Sequence, residues 1–240
     1  MKSSFYDDID ILGMDFAPGN LIVVGGEHWD MMHYVQANCI MEGTMASPGM
    51  DVPMLYFSEG NFVQDAMLRL VTEMAKDKDG NIDIDNKVRL PSVYFDNTPS
   101  PSMSYLVGRI FHMVETVEIG GVVIDTLQNV TGGPLKRYRR EHQLNGTLDI
   151  LKKVAEITDT VIIVLSSLTY PRRKRRLSVD DLLESPYVEA YCDQIILLDH
   201  CNDDLYELIL IKGTPGNNQV NKTVIKARLR SKNQPFRRAQ

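Results

Sequence analysis

The chain has 240 residues, enough for one large domain with a sizeable core, and its 43% hydrophobic and 24% charged residues are those of an ordinary globular protein. No apolar run approaches a membrane span, the start MKSSFYDDIDILG lacks the apolar stretch of a signal peptide, and Cys39, Cys192 and Cys201 have neither metal-site nor disulfide spacing, which together predict a cytoplasmic protein. The formal net charge of −6 argues against nucleic acid, but its distribution argues the other way. Lys136, Arg137, Arg139 and Arg140 fall within five residues, Arg172, Arg173, Lys174, Arg175 and Arg176 are consecutive, and Arg228, Arg230, Lys232, Arg237 and Arg238 lie near the C-terminus. These are fourteen of the 26 basic residues, so local basic patches sit on an acidic body.

Residues 1–20 read as a lead-in that ends in the turn signal Pro18-Gly19-Asn20. LIVVGG at 21–26 predicts a strand and about 30–42 a helix. Strand, glycine turn and helix form the layout of a phosphate-binding loop, in which backbone N–H groups and a helix N-terminus cradle an anion. Set over G-x-x-x-x-G-K-[ST], Gly26 keeps the first glycine. Met31 replaces the second, Met32 the lysine and His33 the hydroxyl residue that holds Mg²⁺. A plain strand-to-helix turn without a ligand is the alternative. His28 and His33, five apart, do not share a helical face, so packing or surface roles are expected for them rather than a metal site. The methionines at 14, 31, 32, 41, 45, 50 and 54 read as gap-filling in the core, or as an adaptable partner surface.

Residues 43–53 form a loop, and MLYFS at 54–58 a second strand ended by Glu59-Gly60. Phe62, Ala66, Leu70 and Met74 recur at helical spacing, predicting an amphipathic helix over 61–76. KDKDGNIDIDNK does not meet the D-x-D-x-D-G order of a calcium loop and reads as a solvated loop or hairpin. SVYFD at 92–96 is a third strand, followed by a capped helix within 99–118 with Met103, Val107, Ile110 and Val114 on one side. GGVVIDTLQNV at 120–130 is a fourth, buried strand ending in Asp125. A basic loop then leads into a helix over 143–157. TVIIVLSSL at 160–168 is a fifth buried strand, and an exposed basic loop, YPRRKRRLS, precedes a short helix near 179–186. Strands at 194–200, 206–213 and 223–229 follow with tight connections, and 231–240 is a basic tail. Strands alternating with helices, then a β-meander, predict one α/β domain over 1–240 with a mainly parallel sheet. Ligands of such sheets lie beyond the carboxyl ends of the strands, where Gly26, Glu59, Asp125 and Ser166-Ser167 fall.

Asp125 closes the apolar run VVID as the Mg²⁺-binding carboxylate of a nucleotide hydrolase does, and Glu59 ends a neighbouring strand where a carboxylate can orient an attacking water. With FYDDIDILGMDFAPGNLIVVGG, MLYFSEG, SVYFDNTPSPSMSYLVGRI, GVVIDTLQNV, VIIVLSSL, SVDDLLESPYVEAYCDQIILL and ELILIKG in this order, the chain resembles the RecA-like motor domain of DnaB-type replicative helicases over roughly residues 5–230. The resemblance implies a RecA-like P-loop fold without that family's N-terminal, primase-binding domain. It places Glu59 at the catalytic glutamate, one residue displaced, Asp125 at the Mg²⁺ aspartate and Gln128 beside a DNA loop. It also shows damage. Ser167 stands at the glutamine of the S-Q-L-N motif, and Lys212-Gly213-Thr214 keeps the lysine of a K-x-R motif while losing its arginine finger.

Each lost charge-assisted hydrogen bond costs about 1.5–3 kcal/mol, and a lost arginine finger roughly 10³–10⁵ in rate. The expectation is therefore a catalytically degenerate domain with no cofactor, its carboxylates vestigial. If the loop still functions, ATP and Mg²⁺ are the cofactors, bound through Gly26, Met31, Met32, His33, Gln128, Lys212 and Asp125, and the protein is an active ATP-dependent DNA helicase. The resemblance implies that Lys136, Arg137, Arg139, Arg140 and Arg172 to Arg176 face nucleic acid. Their guanidinium and ammonium groups would neutralise phosphates without reading bases, with Tyr138 and Tyr170 available to stack. Expected partners are single-stranded DNA or replication proteins (a helicase, primase or loader), with a homo-oligomer or ring, no membrane, and a phage or mobile element as source. A scaffold module whose basic loops serve protein contacts is the further alternative.

Overall fold

A computed structural model of the protein describes residues 17–27, 30, 31, 35, 53–59, 68, 92–132, 139–169, 175–183, 188–202, 205–213, 220–229 and 236–238. Among these, nine strands form one sheet: β1 (Leu21–Gly26), β2 (Met54–Phe57), β3 (Val93–Asp96), β4 (Gly121–Ile124), β5 (Val161–Ser167), β6 (Gln194–Asn202), β7 (Leu205–Gly213), β8 (Val220–Leu229) and β9 (Phe236–Arg238). Their order is β3-β2-β4-β5-β1-β6-β7-β8-β9. From β3 through β6 neighbours run parallel, and from β6 to β9 antiparallel. The parallel half explains the sequence pattern. β1, β2 and β4 are buried at every position and β5 at all but its last, as strands covered on both faces require.

The Pro18-Gly19 turn forms as expected. Asn20 N–H donates to the Ala17 carbonyl at 3.1 Å, and Gly19 takes φ 83°, which a side chain would disfavour. At the same end of the sheet, Asp193 accepts from Leu21 N–H at 2.7 Å and pairs with Lys152 at 2.9 Å; Lys152 also donates to the Gly19 carbonyl at 2.9 Å. Burial alone would push the Lys152 ammonium down, but the bonds and charges of Asp193 and Glu156 outweigh it and hold the group above its ordinary value.

Helix α1 (Met103–Val117) is capped by Ser102, whose hydroxyl accepts from Tyr105 N–H at 3.2 Å. Its deepest face is Met103, Leu106, Ile110 and Met113; Val107 and Val114, expected on the buried side, pack at its edge. Helix α2 (Arg140–Thr158) begins three residues earlier than its apolar pattern suggests, so Arg140 lies in a helix rather than in the basic loop. The fourth strand is shorter than expected. It stops at Ile124, and Leu127–Asn129 turn as a 3₁₀ helix, with the apolar Leu127 and Val130 buried outside the sheet. The short helix expected near 179–186 is a 3₁₀ turn at Val179–Asp181 closed by a capping box between Ser178 and Asp181, with 184–187 outside the described residues. Part of the basic tail, Phe236–Arg238, pairs with β8 as a ninth strand. The helix expected over 30–42 is described only at Asp30, Met31 and Val35, and that over 61–76 only at Leu68. The loop at 43–53 (but for its last residue), the polar excursion after the second helix, and His28, Trp29, Met32, His33, Lys136, Arg137 and Arg172 to Lys174 lie outside the described residues.

Candidate functional site

The carboxyl ends of β1, β5, β4 and β2 line up along one edge of the parallel sheet, and they differ in chemistry. At β1, Gly25 is held by packing: a Cβ there would come within 2.4 Å of Leu182 Cδ2 and 2.9 Å of Leu197 Cδ2. A Cβ on Gly26 would lie 3.1 Å from Leu198 Cβ and 3.2 Å from Met31 Cγ, so the fully buried Met31 side chain closes over this glycine. Met31 N–H donates to the Glu27 carbonyl at 3.0 Å, a bond of helical i→i−4 spacing. The amide at the second-glycine position is thereby satisfied within the chain.

Two strands away, Glu59 and Asp125 meet at a small open cleft beyond β2 and β4, also lined by Ser58, Thr98, Thr126 and Asn129. Glu59 is exposed and Asp125 buried. A cis peptide joins Asp125 to Thr126. Asp96, at the end of β3, supports one wall. Its carboxylate accepts from Thr98 N–H at 3.1 Å and from the Tyr105 hydroxyl at 2.8 Å. Arg109 Nε lies 3.3 Å away without an aligned hydrogen bond, so that contact is one of charge. Burial pushes Asp96 up, but the Thr98 and Tyr105 bonds and the Arg109 charge together hold it below its ordinary value. The sequence signal for Asp96 is the one that marked Asp125, a carboxylate closing an apolar strand.

Gln128 and the described arginines sit at the roots of the two basic loops. Gln128 Nε2 donates to Ser166 Oγ at 3.1 Å and to the Leu183 carbonyl at 3.0 Å, and its Oε1 accepts from Ser167 N–H at 3.2 Å. Arg140 donates to the carbonyls of Gln128 at 2.6 Å and Val130 at 3.2 Å. Arg175 forms a bidentate pair with Asp181, both contacts at 2.9 Å, and Arg176 one with Glu207 of β7 at 2.8 and 3.2 Å. Three of the guanidiniums picked out as nucleic-acid contacts are thus engaged inside the chain. Arg139, at the N-cap of α2, is exposed.

Lys212 lies far from Gly26 in the same chain. Its backbone is in register with Gln194, which pairs with Ile22 at the start of β1, four residues and roughly 13 Å of strand from Gly26. Burial, with Asp193 beside it, pushes the Cys192 thiol well above its ordinary value. Among the described residues there is no cluster of three metal-ligating side chains, and no helix is long and apolar enough to cross a membrane.

Comparison with known proteins agrees with this architecture. Residues 41–231 match the family model of the DnaB-like helicase C-terminal domain. The chain is 26% identical over 245 aligned residues to a probable replicative DNA helicase of Trieres chinensis, covering 90% of this chain and 53% of that one. It is 26% identical to the replicative DNA helicase DnaB of Geobacillus stearothermophilus, over 52% of this chain and 30% of the relative. It therefore spans about half the length of the first of these and less of the second. Among solved structures, a DnaB-like replicative helicase studied with primase superposes at a TM-score of 0.67, with 16% identity over 94% of this chain and 58% of that one. The RadB recombinase superposes at 0.56, with 14% identity over 96% of both chains, and these two likenesses establish the fold. The chain belongs to the DnaB-like helicase C-terminal domain family.

Proposed function

We propose that this motor-type domain has given up ATP turnover and serves by binding DNA or a replication partner through its basic loops. The observation that carries the reading is at Met31. A phosphate at a helix N-terminus needs free amides and room for close backbone approach. Here the Met31 amide is bonded to Glu27, and its side chain lies buried against Gly26. The residues at the end of β1 do not fit a triphosphate. Glu59 and Asp125 remain at their strand ends as inherited carboxylates, and no step is assigned to them. Nucleic-acid binding on this reading is electrostatic: affinity for a single strand falls steeply with salt and is largely independent of sequence.

The test is a steady-state ATPase assay with single-stranded DNA, paired with an oligonucleotide titration at two salt concentrations. The expected outcome is no turnover above background and salt-dependent binding. Turnover that Glu59→Gln abolishes would overturn this reading in favour of an active ATP-dependent helicase, an alternative favoured by the cleft that still holds Glu59 and Asp125 together. Salt-independent or absent DNA binding would favour a scaffold or ring-forming module, a reading supported by the intrachain pairing of Arg175 and Arg176.

A further inference from the structure

The two basic loops share a construction that their sequences do not reveal. The first leaves the sheet after the 3₁₀ turn at Leu127–Asn129 and returns at Arg139. Arg140, one residue into α2, reaches back to the Gln128 and Val130 carbonyls and draws the two limbs of this loop together. The second leaves after β5. Thr169 N–H donates to the Asp181 carbonyl at 2.7 Å, Leu168 bridges to Leu182, and Arg175 grips both Asp181 carboxylate oxygens. That root is closed too. The Gln128 side chain joins them, since it belongs to the first root and spends its donor and acceptor on Ser166, Ser167 and Leu183 of the second.

We propose that Gln128, Arg140 and Arg175 are positioning residues that close the roots of the two basic loops and couple them into one unit, leaving polyanion contact to basic residues beyond the roots. The division of labour rests on the nucleic-acid reading above; the clamp itself does not. The chemistry favours a clamp over phosphate contact. A guanidinium already donating to two carbonyls, or forked onto a carboxylate, must break those bonds to meet a phosphate. Gln128 carries no charge to offer.

Two readouts separate the clamp from the nucleic-acid reading. Without DNA, amide hydrogen exchange is compared between the full chain and Gln128→Ala, Arg140→Lys and Arg175→Lys. Gln128→Ala is expected to speed exchange at both roots, at Ser167, Thr169 and Leu183 and at Val130 and Thr131. Exchange unchanged, or changed at one root alone, overturns the coupling. If Gln128→Ala fails to fold, Gln128→Glu serves: it keeps the acceptor for Ser167 N–H and loses the donor to Leu183. Faster exchange at both roots is again expected, and exchange unchanged, or changed at one root alone, overturns the coupling. With a labelled oligothymidylate, log K is plotted against log salt. A lost phosphate contact flattens the slope by about 0.7 per contact. The clamp predicts several-fold weaker binding for Arg140→Lys and Arg175→Lys with the slope unchanged. Wild-type affinity, as a lysine able to replace a phosphate contact would give, overturns it. A wild-type chain that binds no oligonucleotide removes the division of labour, while the exchange data still decide the clamp.

Discussion

The end of β1 and the ends of β4 and β5 are neighbours in one sheet, with Gly25 and Gly26 in register with Ser166 and Ser167, yet they are finished in opposite ways. At the end of β1 the packing is apolar and tight: Leu182, Leu197, Leu198 and Met31 crowd two glycines. Beyond β4 and β5 it stays polar and cross-linked, with Gln128, Arg140 and Arg175 spending their hydrogen-bonding groups on loop roots. On the proposed reading, the fold loses the grip at one strand end and keeps the scaffolding at the next. Packing free energy can hold the first region shut without any ligand, while the second is held by directional bonds that fix where loops leave the sheet.

The largest effect that can break this contrast is at Met31. If the side chain is core, Met31→Ala costs about 2–5 kcal/mol of stability, read from the midpoint of urea unfolding; a neutral result would mean the residue covers open space. Gly25→Ala sharpens the same region. Overpacking against Leu182 and Leu197 is expected to cost about 1–3 kcal/mol, measured by the same denaturation.

The smallest effects are in pH. The folded Asp96 carboxyl lies below its ordinary value, so its contribution to stability is complete above the unfolded pKa and is lost as pH falls through the lower, folded one. Lys152 is shifted upward, so its contribution is complete below the unfolded pKa and is lost as pH rises through the higher, folded one. Asp96→Asn should flatten the acid limb of a stability–pH curve measured below pH 4. Lys152→Met should flatten only the alkaline limb above pH 10. Flattening of the opposite limbs would contradict these assignments.

Much of the sheet was legible in the sequence because parallel strands buried on both faces are written as unbroken apolar runs, such as LIVVGG and VVID. The same runs misled at 125–130, where Leu127 and Val130 are buried without belonging to a strand. Strand β9 was hidden because Phe236–Arg238 is short and two-thirds basic. At the site, the strand-end carboxylates could be read from position alone. The fate of Arg176 could not, because its partner Glu207 lies 31 residues away on β7. Arg140 also gave no warning, since a basic residue beside a basic run looks like part of the run until the helix start is known.

The central claim is that the end of β1 no longer accepts a triphosphate. Isothermal titration calorimetry of Mg²⁺-ATP into the full chain tests it most directly, with Asp125→Asn as the matched variant. The account predicts no saturable heat for either protein at millimolar nucleotide. A saturable isotherm for the wild-type chain, weakened in Asp125→Asn, would contradict it.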